Sequence, residues 1–199
     1  WTFEEYTDDI HEFIRAEKLQ NVILIGHSMS GDILLLMDTN YPEDVIGIVG
    51  IDNLKKPGVK FTDEENKEVA GFFSMLDSSF SGTVEAYTKG NLFPPAADTS
   101  HVNRVIKDFK MNDSVIAIKV LRSLFDISEK ERDLMQRLKH TLYLVNSDTD
   151  STHIDLLQKY CKASAEVVYV HGTGHYPMIE KTAEFNAALE KVISMIRDK

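Results

Sequence analysis

The stretch Val22-Ile23-Leu24-Ile25-Gly26-His27-Ser28-Met29-Ser30-Gly31-Asp32 sets a serine between small residues where a β-branched and aliphatic run ends. A polar turn joining a strand to a helix would need nothing more. A serine on a tight elbow would also need this placement, for two reasons. The turn lifts Oγ clear of the sheet, and it leaves backbone N–H groups at a helix N-terminus free to bind an oxyanion. Such a turn is crowded, so the positions two before and two after the serine must be small. Here they are Gly26 and Ser30, with Gly31 alongside. The usual pattern has Gly at both places, and Ser30 departs from it.

Working outward, the chain alternates. Thr2 and Glu5 have the spacing of a capping box, and Phe3, Tyr6, Ile10, Phe13 and Ile14 recur at helical spacing, which predicts a helix to about Leu19. A strand is expected over Val22 to Ile25, a helix from about Met29 to Met37, and a second strand over Val45 to Ile51. Further strands are expected over Thr141 to Val145 and Glu166 to Val170, with helices over Thr152 to Cys161 and Ala183 to Ile196. Strands apolar on both faces, alternating with helices, indicate a parallel sheet with crossover helices. Between them, from about Phe61 to Leu138, the pattern is helical and holds seven of the ten phenylalanines. These rings either pack a helical layer of their own or line an apolar pocket. The chain reads as one α/β domain with a helical insertion: residues 1–60 and 139–199 form the core and 61–138 the insertion.

Composition narrows the function classes. A formal charge of −10 and the lack of a basic cluster larger than Lys55-Lys56 argue against nucleic acid or an anionic membrane as partner. A small-molecule substrate is the expected partner, and oligomeric state is left open. No apolar run reaches membrane-spanning length. The single cysteine, Cys161, fits a reducing compartment, so a cytoplasmic location is expected. No phosphate-binding glycine loop and no HExxH motif occurs, and His171 and His175 are four apart in a loop, so neither cofactor nor metal is expected.

A serine hydroxyl is a poor nucleophile near neutral pH. It needs a base within hydrogen-bond reach, and that base needs an orienting acid. His175 is the candidate base, because it lies in the glycine-flanked loop Gly172-Thr173-Gly174-His175 between the last strand and the last helix. Loops at the carboxyl ends of parallel strands are where open α/β sheets place their sites. His27 is expected to point away across the turn and to serve packing. For the acid, Asp148 and Asp150 follow the strand ending at Val145, and Asp52 ends the earlier strand. The order serine, acid, histidine holds for all three.

Together the elbow, the strand Val45–Ile51, the helical insertion, the Asn146-Ser147-Asp148-Thr149-Asp150 loop and the His175 loop resemble the α/β-hydrolase superfamily. The resemblance implies a mostly parallel sheet with flanking helices and a helical cap. It implies Ser28 as nucleophile, His175 as general base and then acid, and the Met29 N–H as one oxyanion donor. The family's G-x-x-D acid pattern would fall on Ser147 to Asp150, which ranks Asp150 first, Asp148 next and Asp52 third. In the family several strands precede the elbow, whereas a single helix does here, so further upstream sequence is expected. Serine rather than aspartate at the elbow implies acyl transfer to water, with a small, largely apolar carboxylic ester as substrate. Two other roles stay open: a hydrolase-like small-molecule receptor, and a homologue with a degenerate site.

Overall fold

Alternation of side chains along a strand sends successive residues to opposite faces, and here both faces are covered. In the computed structural model, which describes residues 1–58, 60–128 and 130–198, strands β1 (Val22–His27), β2 (Val45–Ile51), β3 (Leu142–Ser147) and β4 (Ala165–Val170) form one parallel sheet. They lie side by side in chain order. Ile48, Leu142 and Leu144 join a core with helices α1 (Phe3–Ala16) and α2 (Ser30–Asn40), through Phe3, Ile14, Leu35 and Met37. Their neighbours Val49, Tyr143 and Val145 face the opposite way, onto Phe185, Val192 and Ile196 of the last helix. Gly47 allows that contact: a Cβ there would stand 2.7 Å from Ile196 Cγ2.

Element ends differ from expectation by a few residues. α1 stops at Ala16, and its N-terminal capping box is formed by Thr2 and Glu5. β1 runs on to His27 because Gly26 and His27 pair with Gly50 and Ile51. β3 continues through Asn146 and Ser147, polar residues that pair with Tyr169 and Val170 and are wholly buried. Among the described residues no helix is long and apolar enough to cross a membrane.

Between β2 and β3 lie α3 (Asp63–Ser78), α4 (Phe80–Tyr87), α5 (Thr99–Lys110), α6 (Ser114–Ile127) and α7 (Glu131–Arg137). Phe72, Phe73, Phe80, Phe109 and Phe125 pack against one another in a core of their own around Leu76 and Val84. The later helices are not detached from the sheet. Val120 and Ile127 of α6, with Leu134 and Met135 of α7, enter the main core beside α2. After β3 come α8 (Ile154–Tyr160), β4, the short α9 (Pro177–Glu180) and α10 (Thr182–Arg197).

Candidate active site

Ser28 sits between β1 and α2 with φ +55, in the left-handed region that a side chain seldom adopts. The turn is closed by Ser28 N–H donating to the Ile51 carbonyl at 3.0 Å and by Gly31 N–H donating to the Ser28 carbonyl at 3.0 Å. Crowding is real: a Cβ on Gly26 would lie 3.0 Å from the Ser30 Cβ, so glycine at one position is what allows serine at the other. Gly31 is equally constrained, since a Cβ there would meet the Asn53 side chain at 2.8 Å.

His175 reaches this serine from the loop after β4. Its Nε2 is 2.8 Å from Ser28 Oγ, and its Nδ1 is 2.7 Å from Asp52 Oδ2. The ring therefore bridges hydroxyl and carboxylate. Three contacts fix its backbone. The His175 amide donates to the Leu92 carbonyl at 2.8 Å, the end of a π-turn (Thr88–Leu92) that continues α4. Gly174 lies so close to that carbonyl that a Cβ would approach it to 2.6 Å, and its amide donates to the Glu180 carboxylate. His27 Nε2 lies 2.7 Å from the His175 carbonyl. A carbonyl only accepts, so Nε2 carries the proton. Burial, with the nearby His175 adding to it, pushes His27 down to about 4, which keeps it neutral in neutral solution. This corrects the expectation that His27 turns away from the site.

The acid against His175 is Asp52, not Asp150 or Asp148. Asp52 is the first residue after β2, with φ +46, and Leu54 two residues on has φ +48, a turn that folds the Asp52 side chain back under the loop. Its Oδ1 accepts the Ser147 amide at 2.8 Å and Lys55 Nζ at 2.9 Å. Burial opposes ionisation, but hydrogen bonds from His175, Lys55 and Ser147 outweigh it and hold Asp52 far below the usual carboxylate range. Asp148 instead accepts His171 Nδ1 at 2.9 Å and the Gly172 amide at 2.8 Å, at the surface. The His171 bond, then the Gly172 amide, lowers its pKa. Asp150 is exposed on the same loop. The loop after β3 thus turns outward to the loop after β4, and only Asp52 lies beneath the histidine.

Several supporting residues carry no motif. Asn53 and Asn146 exchange bonds across β2 and β3: the Asn53 amide donates to Asn146 Oδ1 at 3.2 Å, and Asn146 Nδ2 donates to the Asn53 carbonyl at 3.0 Å. Asn53 Nδ2 donates to the Gly26 carbonyl at 2.9 Å, tying the acid's turn to the elbow. Lys55 also donates to Ser147 Oγ. The one signal in the sequence was polar residues, Asp52-Asn53 and Asn146-Ser147, directly abutting apolar strands.

A cavity of about 210 Å³ opens at Ser28. Met29, Leu54, Pro57 and Leu124 give it apolar surface, while Asp32, Lys55 and Glu131 make it partly polar. None of the insertion's phenylalanines lines it. Among the described residues, no group of three or more His, Cys, Asp or Glu side chains is placed to hold a metal ion.

A strand-turn-helix serine, a histidine from the last strand's loop and a parallel sheet with an inserted helical layer define an α/β-hydrolase class of protein. The model of the Alpha/beta hydrolase family matches residues 1–188, and the chain belongs to that family. Solved structures share its fold at low sequence identity. A hydrolase from Oleispira antarctica is 17% identical with a TM-score of 0.81, over 100% of this chain and 73% of that one. An esterase from Exiguobacterium antarcticum is 16% identical with a TM-score of 0.81, over 98% and 74%. A bromoperoxidase from Bacillus anthracis is 18% identical with a TM-score of 0.80, over 97% and 74%. No curated protein sequence shows a significant match.

Proposed function

We propose that the chain is a serine hydrolase acting on small carboxylic esters through Ser28, His175 and Asp52. The observation that carries this reading is the continuous hydrogen-bonded path from Ser28 Oγ through both ring nitrogens of His175 to Asp52. Ser28 Oγ attacks the ester carbonyl while His175 Nε2 takes its proton. Asp52 holds the opposite N–H and stabilises the imidazolium that forms. The Met29 amide, at the N-cap of α2 and so uncommitted to the helix ladder, donates to the oxyanion. His175 then protonates the leaving alcohol, and the acyl group stays on Ser28. In the second half His175 deprotonates a water, which releases the acid and restores the serine. Residues 61–138 act as a cap over this site, and Leu124 and Glu131 are their contribution to its cavity.

An esterase and a hydrolase among the solved structures that share this fold agree with this chemistry. Labelling with a fluorophosphonate, followed by mass spectrometry, is the direct test. A single adduct on Ser28, abolished together with ester turnover in Ser28→Ala, is the expected result. An unlabelled Ser28 in a folded protein would sink the reading. A receptor role has one specific observation in its favour, the direct bond from the His175 amide to Leu92 of the insertion. It predicts ester turnover so slow that the acyl group remains on Ser28 beyond the time of the assay.

A further inference from the structure

A base places its ring only as accurately as its backbone is held. His175 lies in an irregular loop, where no helix or strand ladder collects successive amides, so each needs an acceptor of its own. The His175 amide takes the Leu92 carbonyl, at 2.8 Å. The amides on either side of it converge on one side chain, the half-buried Glu180. Gly174 N donates to its Oε1 at 3.0 Å and to its Oε2 at 3.1 Å, and Tyr176 N donates to Oε1 at 3.2 Å. Both carboxylate oxygens are thus spent on the backbone that flanks the histidine. Bonds from amides to a carboxylate are shorter and stronger than those to a neutral acceptor.

Glu180 is the last residue of α9, and it stands on a fixed platform. Its own amide donates to the Tyr176 carbonyl at 3.0 Å, so residues 176 and 180 are bonded in both directions. Met178 packs against the core on the α10 side of the sheet, while Ile179 packs against the cluster of Leu92, Phe93 and Val105. The carboxylate is therefore fixed relative to both the sheet and the insertion. Glu180 is not part of the cavity wall at Ser28, so its route to the chemistry runs through the His175 backbone. We propose that Glu180 is a positioning residue for the base: by accepting the amides on both sides of His175 it sets where the ring stands between Ser28 and Asp52. Its loss then falls on kcat and leaves substrate binding nearly untouched. The proposal rests on the reading of Ser28 and His175 as nucleophile and base.

Two substitutions separate reach from charge. Glu180→Gln keeps an oxygen in the Oε1 position, which alone meets both amides, and deletes the charge. Glu180→Asp keeps the charge and draws the acceptors back by about one bond length, ~1.5 Å. Glu180→Leu removes the acceptors. Ester kinetics and the rate of fluorophosphonate labelling at Ser28 are measured per folded molecule, with the folded fraction taken from urea unfolding. Glu180→Leu should lose about ten- to a hundredfold in kcat and in labelling rate, the size of an ångström misplacement, with KM within about threefold. Glu180→Asp should fall in the same direction, and Glu180→Gln should recover most of the loss. A Glu180→Leu variant within about threefold of the parent in both rates would overturn the role. So would a Glu180→Gln variant slower than Glu180→Asp, since charge and not reach would then be the cause. Losses that vanish once the unfolded fraction is removed would mark a merely structural residue and overturn it as well. Should Glu180→Leu fail to fold, the order of the other two still decides. A parent that does not label at Ser28 would overturn the hydrolase reading and this role with it, whereas a labelling parent with the reversed order overturns the role alone.

Discussion

The turns after β2 and after β3 begin alike and end differently. Each follows a buried apolar strand, and each carries a carboxylate within three residues of Ile51 or Val145. After β2, two left-handed positions, Asp52 and Leu54 on either side of Asn53, pull the carboxylate back beneath the histidine. There it is 4% exposed and receives bonds from the His175 ring, Lys55 and the Ser147 amide. Beyond Val145, β3 itself continues through two more buried residues, Asn146 and Ser147, before the chain leaves the sheet. Asp148 emerges at the surface and is satisfied by His171 and Gly172. The difference teaches that a carboxylate at a strand end is common, and that only the turn's backbone decides whether it serves a neighbour across the sheet or its own loop.

The largest expected effect tests that comparison head on. Asp52→Asn leaves His175 Nδ1 without an anionic partner and favours the wrong tautomer, and a loss of roughly 10³–10⁴ in kcat is expected from the same change in a serine triad. Asp148→Asn and Asp150→Asn should each stay within about threefold of the parent, as surface changes away from the reacting atoms do. Steady-state ester kinetics on the three variants checks this. Equal mild effects from all three would break the assignment of the acid.

A second effect, of middle size, concerns His27. Its Nε2–H holds the carbonyl of His175, the proposed base, so removing it frees the loop while leaving the Ser28, His175 and Asp52 side chains in place. His27→Phe keeps an aromatic ring against Tyr176 but offers no donor. A misplacement of the base by about an ångström costs up to roughly 10²-fold, so kcat and the rate of Ser28 labelling should both fall by about ten- to a hundredfold, with KM little changed. The pH dependence has a sign as well. The unfolded chain takes up a proton on this histidine near its ordinary value, about 6.5, while the folded protein resists until about 4. Acidification through that window therefore destabilises the fold, and His27→Phe should flatten this part of the stability profile in urea titrations.

Much of this site could be read in the amino-acid order, and the parts that could not share a physical cause. The elbow announces itself locally, because Gly26, Ser28 and Ser30 sit at fixed spacing between an apolar strand and a helix. His175 is visible for a similar reason, in a loop whose glycines are needed locally: Gly172 for its φ of +68 and Gly174 for the close approach of Leu92. Asp52 is different. Its choice over Asp148 depends on left-handed backbone at a non-glycine residue and on β3 continuing through Asn146 and Ser147, neither of which composition signals. His27 was misread because the histidine loop, 148 residues away in sequence, returns over the elbow. The polar wall of the cavity escaped notice for the same reason, since Asp32 reads as an ordinary helix residue until α7 brings Glu131 to it. The insertion's last helices tell the same story, for Leu134 and Met135 belong to the main core and no spacing rule separates them from the aromatic cluster before them.

Lys55 sharpens the comparison at the smallest scale, because it is the cation that the turn after β3 lacks. It is 13% exposed, donates to both Asp52 and Ser147 Oγ, and is one reason Asp52 stays ionised. Breaking a largely buried pair by removing one partner leaves the other charge uncompensated, although two further donors remain on Asp52 here. Lys55→Met keeps most of the side chain's apolar length while deleting the charge, and a loss of about 1–3 kcal/mol at neutral pH is expected. The sign of its pH dependence follows from Asp52, whose folded pKa lies below its unfolded value. The stabilisation Lys55 gives is fully present above about pH 4, the unfolded carboxylate range, and it fades as Asp52 becomes protonated in both states. The gap in stability between parent and Lys55→Met, measured by urea unfolding, should therefore be widest near neutrality and close as the pH falls below about 4. A gap that stayed constant down to the lowest pH at which both proteins fold would mean that Lys55 contributes through packing against the β2 turn, and that the Ser147 amide and His175 alone keep Asp52 charged.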